Sequence, residues 1–155
     1  MRAVVTRVRS ASVTVEGRVV GRIGGGLLVL LGVGQGDGEA ERKKLLDKLP
    51  VLRIFEDEAG KMNRSLVDIG GRMLVISQFT LFADVSQGRR PYFGNAAAPG
   101  PAEKLYEEFK RCAARLVPVE CGVFAADMQV SLCNDGPVTI LLEAERNAAG
   151  KLFLH

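Results

Sequence analysis

Residues 27–33, Leu-Leu-Val-Leu-Leu-Gly-Val, carry no polar side chain. A strand with one wet face alternates apolar and polar residues, whereas an unbroken run needs cover on both faces. The run is far shorter than the roughly 20 apolar residues that span a bilayer, so it reads as a central strand. Its neighbours are legible too. Residues 1–9 and 11–15 read as a strand and its continuation, Glu16-Gly17 as a hairpin turn, and residues 19–23 as the return. Gly24-Gly25-Gly26 precedes the apolar run, so it reads as a turn, not a phosphate cradle.

Past a loop at 34–38, residues 39–52 read as a helix with Leu45, Leu46, Leu49 and Leu52 on one stripe, ended or kinked by Pro50. Residues 51–55 read as the beginning of a strand, 57–65 as a polar loop and 72–82 as a third apolar strand. Residues 83–101 hold Gly88, Pro91, Gly94, Pro99 and Gly100 and read as a long loop, a class often functional in compact domains. A second helix is expected over 102–116, with Leu105, Phe109, Cys112 and Leu116 inward. Residues 117–123 read as strand or loop, Met128, Val130 and Leu132 alternate as a half-buried strand, Asn134-Asp135-Gly136-Pro137 reads as a turn, and 138–143 as the last strand. The 155 residues, 47% apolar and 25% charged, suit one mixed α/β domain over 1–145, two helices packed on a largely antiparallel sheet, with a frayed tail over 146–155.

The net charge of +3 permits an RNA partner without requiring one. The start lacks the apolar core of a signal peptide, and a cytoplasmic protein is expected. Cys112, Cys121 and Cys133 form no CxxC pair, and the one histidine, His155, is the last residue. No metal ligand set, no Ser-His-Asp or Cys-His base and no GxxxxGK[ST] loop follow from these residues. An enzyme of this composition works with a Ser or Thr hydroxyl, or with backbone amides acting on a substrate that brings its own reactive group. No cofactor is expected.

Two segments stand out. Ser77-Gln78-Phe79-Thr80-Leu81 places polar groups where an apolar strand ends. They could line a pocket, though on pattern alone an exposed strand end is the plainer reading. Asn134-Asp135-Gly136-Pro137-Val138-Thr139 holds a Gly-Pro bond, a natural site for a cis peptide, and on pattern alone an ordinary β-turn serves as well. The loop Gln87-Gly88-Arg89-Arg90-Pro91 offers two guanidiniums beside Tyr92 and Phe93, suited to phosphate or simply solvated.

In this order, with Leu52-Arg53-Ile54-Phe55, Gly60-Lys61-Met62-Asn63-Arg64-Ser65 and Gly88-Arg89-Arg90-Pro91 between and around them, the two segments resemble the SQFTL and NxGPxT signatures of the D-aminoacyl-tRNA deacylase family (D-tyrosyl-tRNA(Tyr) deacylase, bacterial and eukaryotic type). The resemblance runs from Met1 to about Glu143. It implies a barrel-like deacylase fold and a homodimer with active sites at the interface. It further implies a cis Gly136-Pro137 pair that enters the partner's site and blocks L side chains. By the same likeness, backbone N–H groups around Phe79 and Thr80 hold the ester carbonyl, and Ser77 and Gln78 shape the site. Asn134 belongs to the Gly-Pro motif, Phe124, Ala125 and Met128 match the adenosine and aminoacyl pocket, and Arg89 and Arg90 are candidates for tRNA phosphates. The family reaction is thought to use the ribose 2′-hydroxyl of the tRNA to activate water, and glycyl-tRNA is a plausible further substrate. The alternatives are an acyl-ester hydrolase with Thr80 as nucleophile, which lacks an evident base, and an RNA-binding module without catalysis. Where the family reads TGxFGA, this chain has Cys121-Gly122-Val123-Phe124-Ala125-Ala126. A methyl at Ala125 stands where the family has glycine, and could shift or tighten the nucleotide pocket.

Overall fold

The computed structural model describes residues 1–147 and 149–155. Strand β1 (Arg2–Val15) turns at Glu16-Gly17 into β2 (Arg18–Ile23), and β3 (Gly26–Gly32) follows. After helix α1 (Glu39–Leu46) come the short hairpin strands β4 (Phe55–Glu56) and β5 (Met62–Arg64), then β6 (Arg72–Ser77). Helix α2 (Pro99–Ala113), β7 (Val119–Cys121), β8 (Gln129–Arg146) and β9 (Leu152–Leu154) complete the chain. One sheet runs in the order β7-β6-β3-β1-β8-β9, with β2 also paired to β1. The pairs β1–β2, β1–β3, β1–β8 and β8–β9 are antiparallel, while β3–β6 and β6–β7 are parallel. β2 curls toward β7 until Gly21 lies against the Cys121 carbonyl, where a methyl group would stand 2.7 Å from the oxygen. This approach gives the sheet its barrel-like curl.

The unbroken run behaves as its composition demands. Leu27, Val29 and Leu31 of β3, with Met73 and Val75 of β6, face a core shared with Leu45 and Leu49 beside α1 and Leu105 and Phe109 of α2. Leu28, Leu74 and Ile76 face a second core with Val8, Ala11, Val13 and Ile23 inside the curl. α2 buries Ala102, Leu105, Tyr106, Phe109 and Ala113, the spacing of one helical face. At the start of α1 the Glu41 carboxylate accepts the Gly38 N–H (2.9 Å), and acidic residues fill the first turn and lysines the last, as the helix dipole favours.

Several sequence expectations need correction. α1 stops at Leu46 and does not continue to Leu52, because Pro50 enters a separate short turn at Leu49–Val51. The expected strand at 51–55 shrinks to Phe55–Glu56, and the polar loop after it contains β5. β6 ends at Ser77, since its partner β3 ends at Gly32, and Phe79–Phe82 form a 3-10 turn. α2 starts at Pro99, whose fixed φ suits a first turn, and ends at Ala113, leaving Leu116 exposed. β8 passes through Asn134-Asp135-Gly136-Pro137 as one strand, where the sequence suggested a turn between two. The tail is not frayed: Leu152–Leu154 pair with Ala144, Glu145 and Arg146, and the Asn147 carboxamide oxygen accepts the N–H groups of Ala149 and Lys151. Ala148 of that tail lies outside the described residues.

Two-sided burial of β3 makes adjacent residues equally critical. Leu27→Ala and Leu28→Ala are each expected to cost about 3 kcal/mol in urea denaturation. A one-sided strand would give a large and a small value instead.

Candidate functional site

The carboxyl ends of the parallel strands β3, β6 and β7 open on one pocket of about 530 Å³. That end of a parallel sheet is where ligand sites of α/β proteins form. Leu31, Val33, Ile76 and Ser77 come from the strand ends, Gln78 and Phe79 from the turn, Ala102 and Tyr106 from α2, and Phe124, Ala125, Ala126 and Met128 from the segment after β7. Phe93, Ala96 and Ala97 of the long loop close one wall. That wall is tied down by Ala97 N–H to Val33 O (3.0 Å) and Gln35 N–H to Asn95 O (3.0 Å). A larger, more open cleft of about 870 Å³ lies beside Arg2, Asp37, Glu143 and Arg146. Its cations are engaged within the protein: Arg2 on Glu143, Arg146 on Glu41 and the Met1 ammonium on Asp37. The smaller pocket is therefore the better candidate.

The turn at its mouth is built tightly. The Gln78 N–H donates to Leu31 O (2.8 Å), and the Ala83 N–H to Thr80 O (3.0 Å). The Phe82 ring rests on Gly34, where a methyl would stand 2.5 Å from it. Among the described residues the N–H groups of Phe79 and Thr80 meet no backbone acceptor, as expected at the start of a helical turn. The Gln78 carboxamide donates to the Thr80 hydroxyl. That neighbour is a donor, so it cannot take a proton from Thr80. Phe79 is 59% exposed and meets Phe93 edge-on at 5.1 Å.

Tyr106, which the sequence reading passed over, forms the floor. It is buried, its hydroxyl donates to Val75 O (2.9 Å), and its ring lies 5.8 Å from that of Phe124. Burial pushes its phenol well above the ordinary tyrosine range, so it stays a neutral donor. The one hint in the sequence was a hydroxyl-bearing residue on the inner stripe of α2. Ala125 holds φ +59, a left-handed conformation costly for any residue with a Cβ, and it turns the chain between Phe124 and Ala126.

The structure thus brings Ser77, Gln78, Phe79, Phe124, Ala125 and Met128 together, with Thr80 on the same turn. It does not bring Asn134, Gly136 and Pro137 to this pocket. They lie where β8 bulges: Thr6 faces Thr139 and Val8 faces Asn134, so residues 135–138 stand opposite Arg7 alone. The Gly136-Pro137 bond is cis, and both residues are exposed. Arg7, only 4% exposed, braces the bulge from below. Its Nε donates to Asp135 O (3.0 Å) and lies 3.3 Å from the Asp135 carboxylate, and its Nη1 donates to Ile54 O (2.6 Å). From above, Asn134 Oδ1 accepts the Val138 N–H (3.0 Å), and Asn134 Nδ2 donates to Thr139 Oγ1 (3.1 Å). Gly136 adopts φ +126, where a side chain is disfavoured, and a Cβ there would meet Val138 and Arg7 within 3 Å. Arg89 and Arg90 lie on the exposed part of the long loop, apart from the pocket lining.

Two substitutions test this geometry. Arg7→Met is expected to cost about 3 kcal/mol in urea denaturation, because it leaves the Ile54 and Asp135 carbonyls without their donor and the half-buried Asp135 carboxylate with the exposed Arg9 as its one remaining cation among the described residues. A loss below ~0.5 kcal/mol would mean that the brace is idle. Ala125→Gly is expected to raise stability by about 1 kcal/mol by removing the left-handed penalty, and an unchanged or lower melting temperature would contradict it.

The profile of D-Tyr-tRNA(Tyr) deacylase matches residues 4–143. A D-aminoacyl-tRNA deacylase of Desulfitobacterium hafniense is 56% identical over 151 residues, covering 95% of this chain and 99% of that protein. One of Roseiflexus castenholzii is 60% identical over 145 residues, covering 93% and 92%. A solved structure described as c-Myc DNA Unwinding Element Binding Protein superposes with a TM-score of 0.89 at 42% identity, covering 94% of this chain and 99% of its own. A probable eukaryotic D-amino acid tRNA deacylase at 18% identity shares the fold, with a TM-score of 0.74 over 90% of this chain and 97% of its own. A profile match over most of the chain, joined by relatives more than half identical across nearly their whole length, shows that this chain belongs to the D-Tyr-tRNA(Tyr) deacylase family.

Proposed function

We propose that this chain hydrolyses the ester between a D-amino acid and the terminal adenosine of tRNA, acting as a cytoplasmic homodimer. Water adds to the ester carbonyl carbon, the bond to the ribose oxygen breaks, and the proton ends on that oxygen. The observation that carries this reading is the apolar pocket at the strand ends beside the unengaged N–H groups of Phe79 and Thr80. Donors of this kind stabilise an oxyanion and need no titrating side chain. The relatives' names supply the substrate class.

The pocket suits an adenine between Phe124, Met128 and the Tyr106 floor, with Ser77 and Gln78 at its edge. The proton acceptor is then the RNA itself. The ribose 2′-hydroxyl polarises the attacking water, since Thr80 has a donor for its neighbour. Selection against L esters falls to the Gly136-Pro137 bulge of a second copy. Two observations favour that assignment: the bulge is exposed and rigidly braced, and it lies away from its own pocket. Exclusion by a backbone rim needs no pocket for the accepted side chain, so varied D-amino acids and glycine pass. Arg89 and Arg90 meet tRNA phosphates near the aminoacyl end.

The test is a deacylation time course on matched D-tyrosyl-tRNA and L-tyrosyl-tRNA, with the unaltered protein and Thr80→Ala. Both proteins are expected to cleave only the D ester. A tRNA ending in 2′-deoxyadenosine is expected to slow cleavage by roughly 100-fold or more. Loss of activity in Thr80→Ala would favour the hydroxyl nucleophile. Binding without turnover would favour an RNA-binding module, and cleavage of both esters would remove chiral selection.

A further inference from the structure

Away from the pocket, the turn Phe79–Phe82 rests on β3 through Phe82 and Leu81 and is gripped by the side chain of Arg2. Its Nη1 donates to Leu81 O (2.8 Å), and its guanidinium lies 4.7 Å from the Phe82 ring centroid. Its Nε pairs with Glu143 at 2.6 Å, and Glu143 is its direct cross-strand neighbour on β8. Arg2 lines the larger cleft and not the pocket, so it does not meet anything bound there. We infer that Arg2 is a positioning residue for the deacylation reaction: its three contacts fix the orientation of the turn and thereby aim the N–H groups of Phe79 and Thr80.

The inference rests on the proposed function for its kinetic meaning, and the geometry supports it independently. A 3-10 turn of four residues has few internal hydrogen bonds and depends on outside anchors. Gln78 N–H on Leu31 O anchors its start. At its far end Arg2 engages both a carbonyl and a ring, so the planar fork controls rotation of the turn as well as distance. The pocket walls that would hold the nucleoside come from α2 and from the segment after β7, neither of which lines the cleft that Arg2 lines. Loosening Arg2 should therefore disturb the chemical step and spare binding, because small misplacements of reacting groups act on the rate.

The experiment compares Arg2→Ala, Arg2→Lys and Glu143→Gln with the unaltered protein. It combines steady-state kinetics on D-tyrosyl-tRNA with backbone amide NMR shifts, well below each melting temperature. For Arg2→Ala, kcat is expected to fall about tenfold or more with KM within about twofold. The amide signals of Phe79 and Thr80 should shift while those of Phe124 and Met128 stay in place. Arg2→Lys keeps the cation and should recover part of kcat. Glu143→Gln, which leaves the fold's core untouched, should give an intermediate loss. A rise in KM at constant kcat overturns the inference, as do unmoved Phe79 and Thr80 signals in the folded variants. Absence of turnover in the unaltered protein would refute the proposed function, while the amide shifts would still decide whether Arg2 holds the turn.

Discussion

The pairing of β1 with β8 is the constraint on which both halves of the molecule depend. β1 reaches β3, β2 and β8 along its length, so it joins the helix-covered part of the sheet to the curled part. The same pairing tolerates residues 135–138 opposite Arg7 alone. A bulge that large leaves backbone groups without ladder partners, and buried carbonyls need donors. One guanidinium serves the Asp135 carbonyl of the bulge and the Ile54 carbonyl together, accepting burial because Asp135 neutralises its charge. Arg7 thus belongs to the spine of the fold and to the presentation of Gly136 and Pro137 together.

The second constraint follows from two-sided burial. β3 and β6 can carry apolar residues on both faces only while each has its partner, and the pairing ends with Leu31 beside Ser77. Beyond that point the chain must satisfy its polar groups differently, and it does so by turning. Ser77, Gln78 and Thr80 are polar because they stand where the sheet stops. The two orphan N–H groups at the start of the turn are a direct result of leaving the ladder.

What was legible in the sequence follows the same division. β1 to β3, the Glu16-Gly17 hairpin and the Leu105 and Phe109 positions of α2 were readable because local pattern and tertiary packing agree there. The end of β6 was misplaced because Phe79, Leu81 and Phe82 prolong the apolar pattern, although their partner strand has already ended. β8 was divided because Gly136-Pro137 resembles a turn, and nothing in the local sequence reveals that Arg7, more than a hundred residues away, bridges it. The two signature segments were found through family likeness; on pattern alone each had a plainer reading. The wall from Phe93 to Ala97 and the Tyr106 floor were missed because they join the site through hydrogen bonds and ring contacts between residues distant in sequence.

A pocket assembled in this way has an unusual electrostatic character. Its polar lining consists of peptide groups, the Ser77 hydroxyl, the Gln78 amide and a phenol that burial keeps neutral. None of these changes charge near neutral pH, so the field that the lining presents to a bound ester stays constant there. The protein then contributes position rather than proton transfer, and position is set by backbone and side-chain anchors at and behind the pocket wall: Leu31 and Arg2 for the turn, Val33 and Gln35 for the loop wall, Val75 for the tyrosine. Sensitivity to substitution should accordingly be found behind the pocket as much as within it, because a backbone donor cannot be removed by changing its own side chain but can be misdirected by changing what holds it.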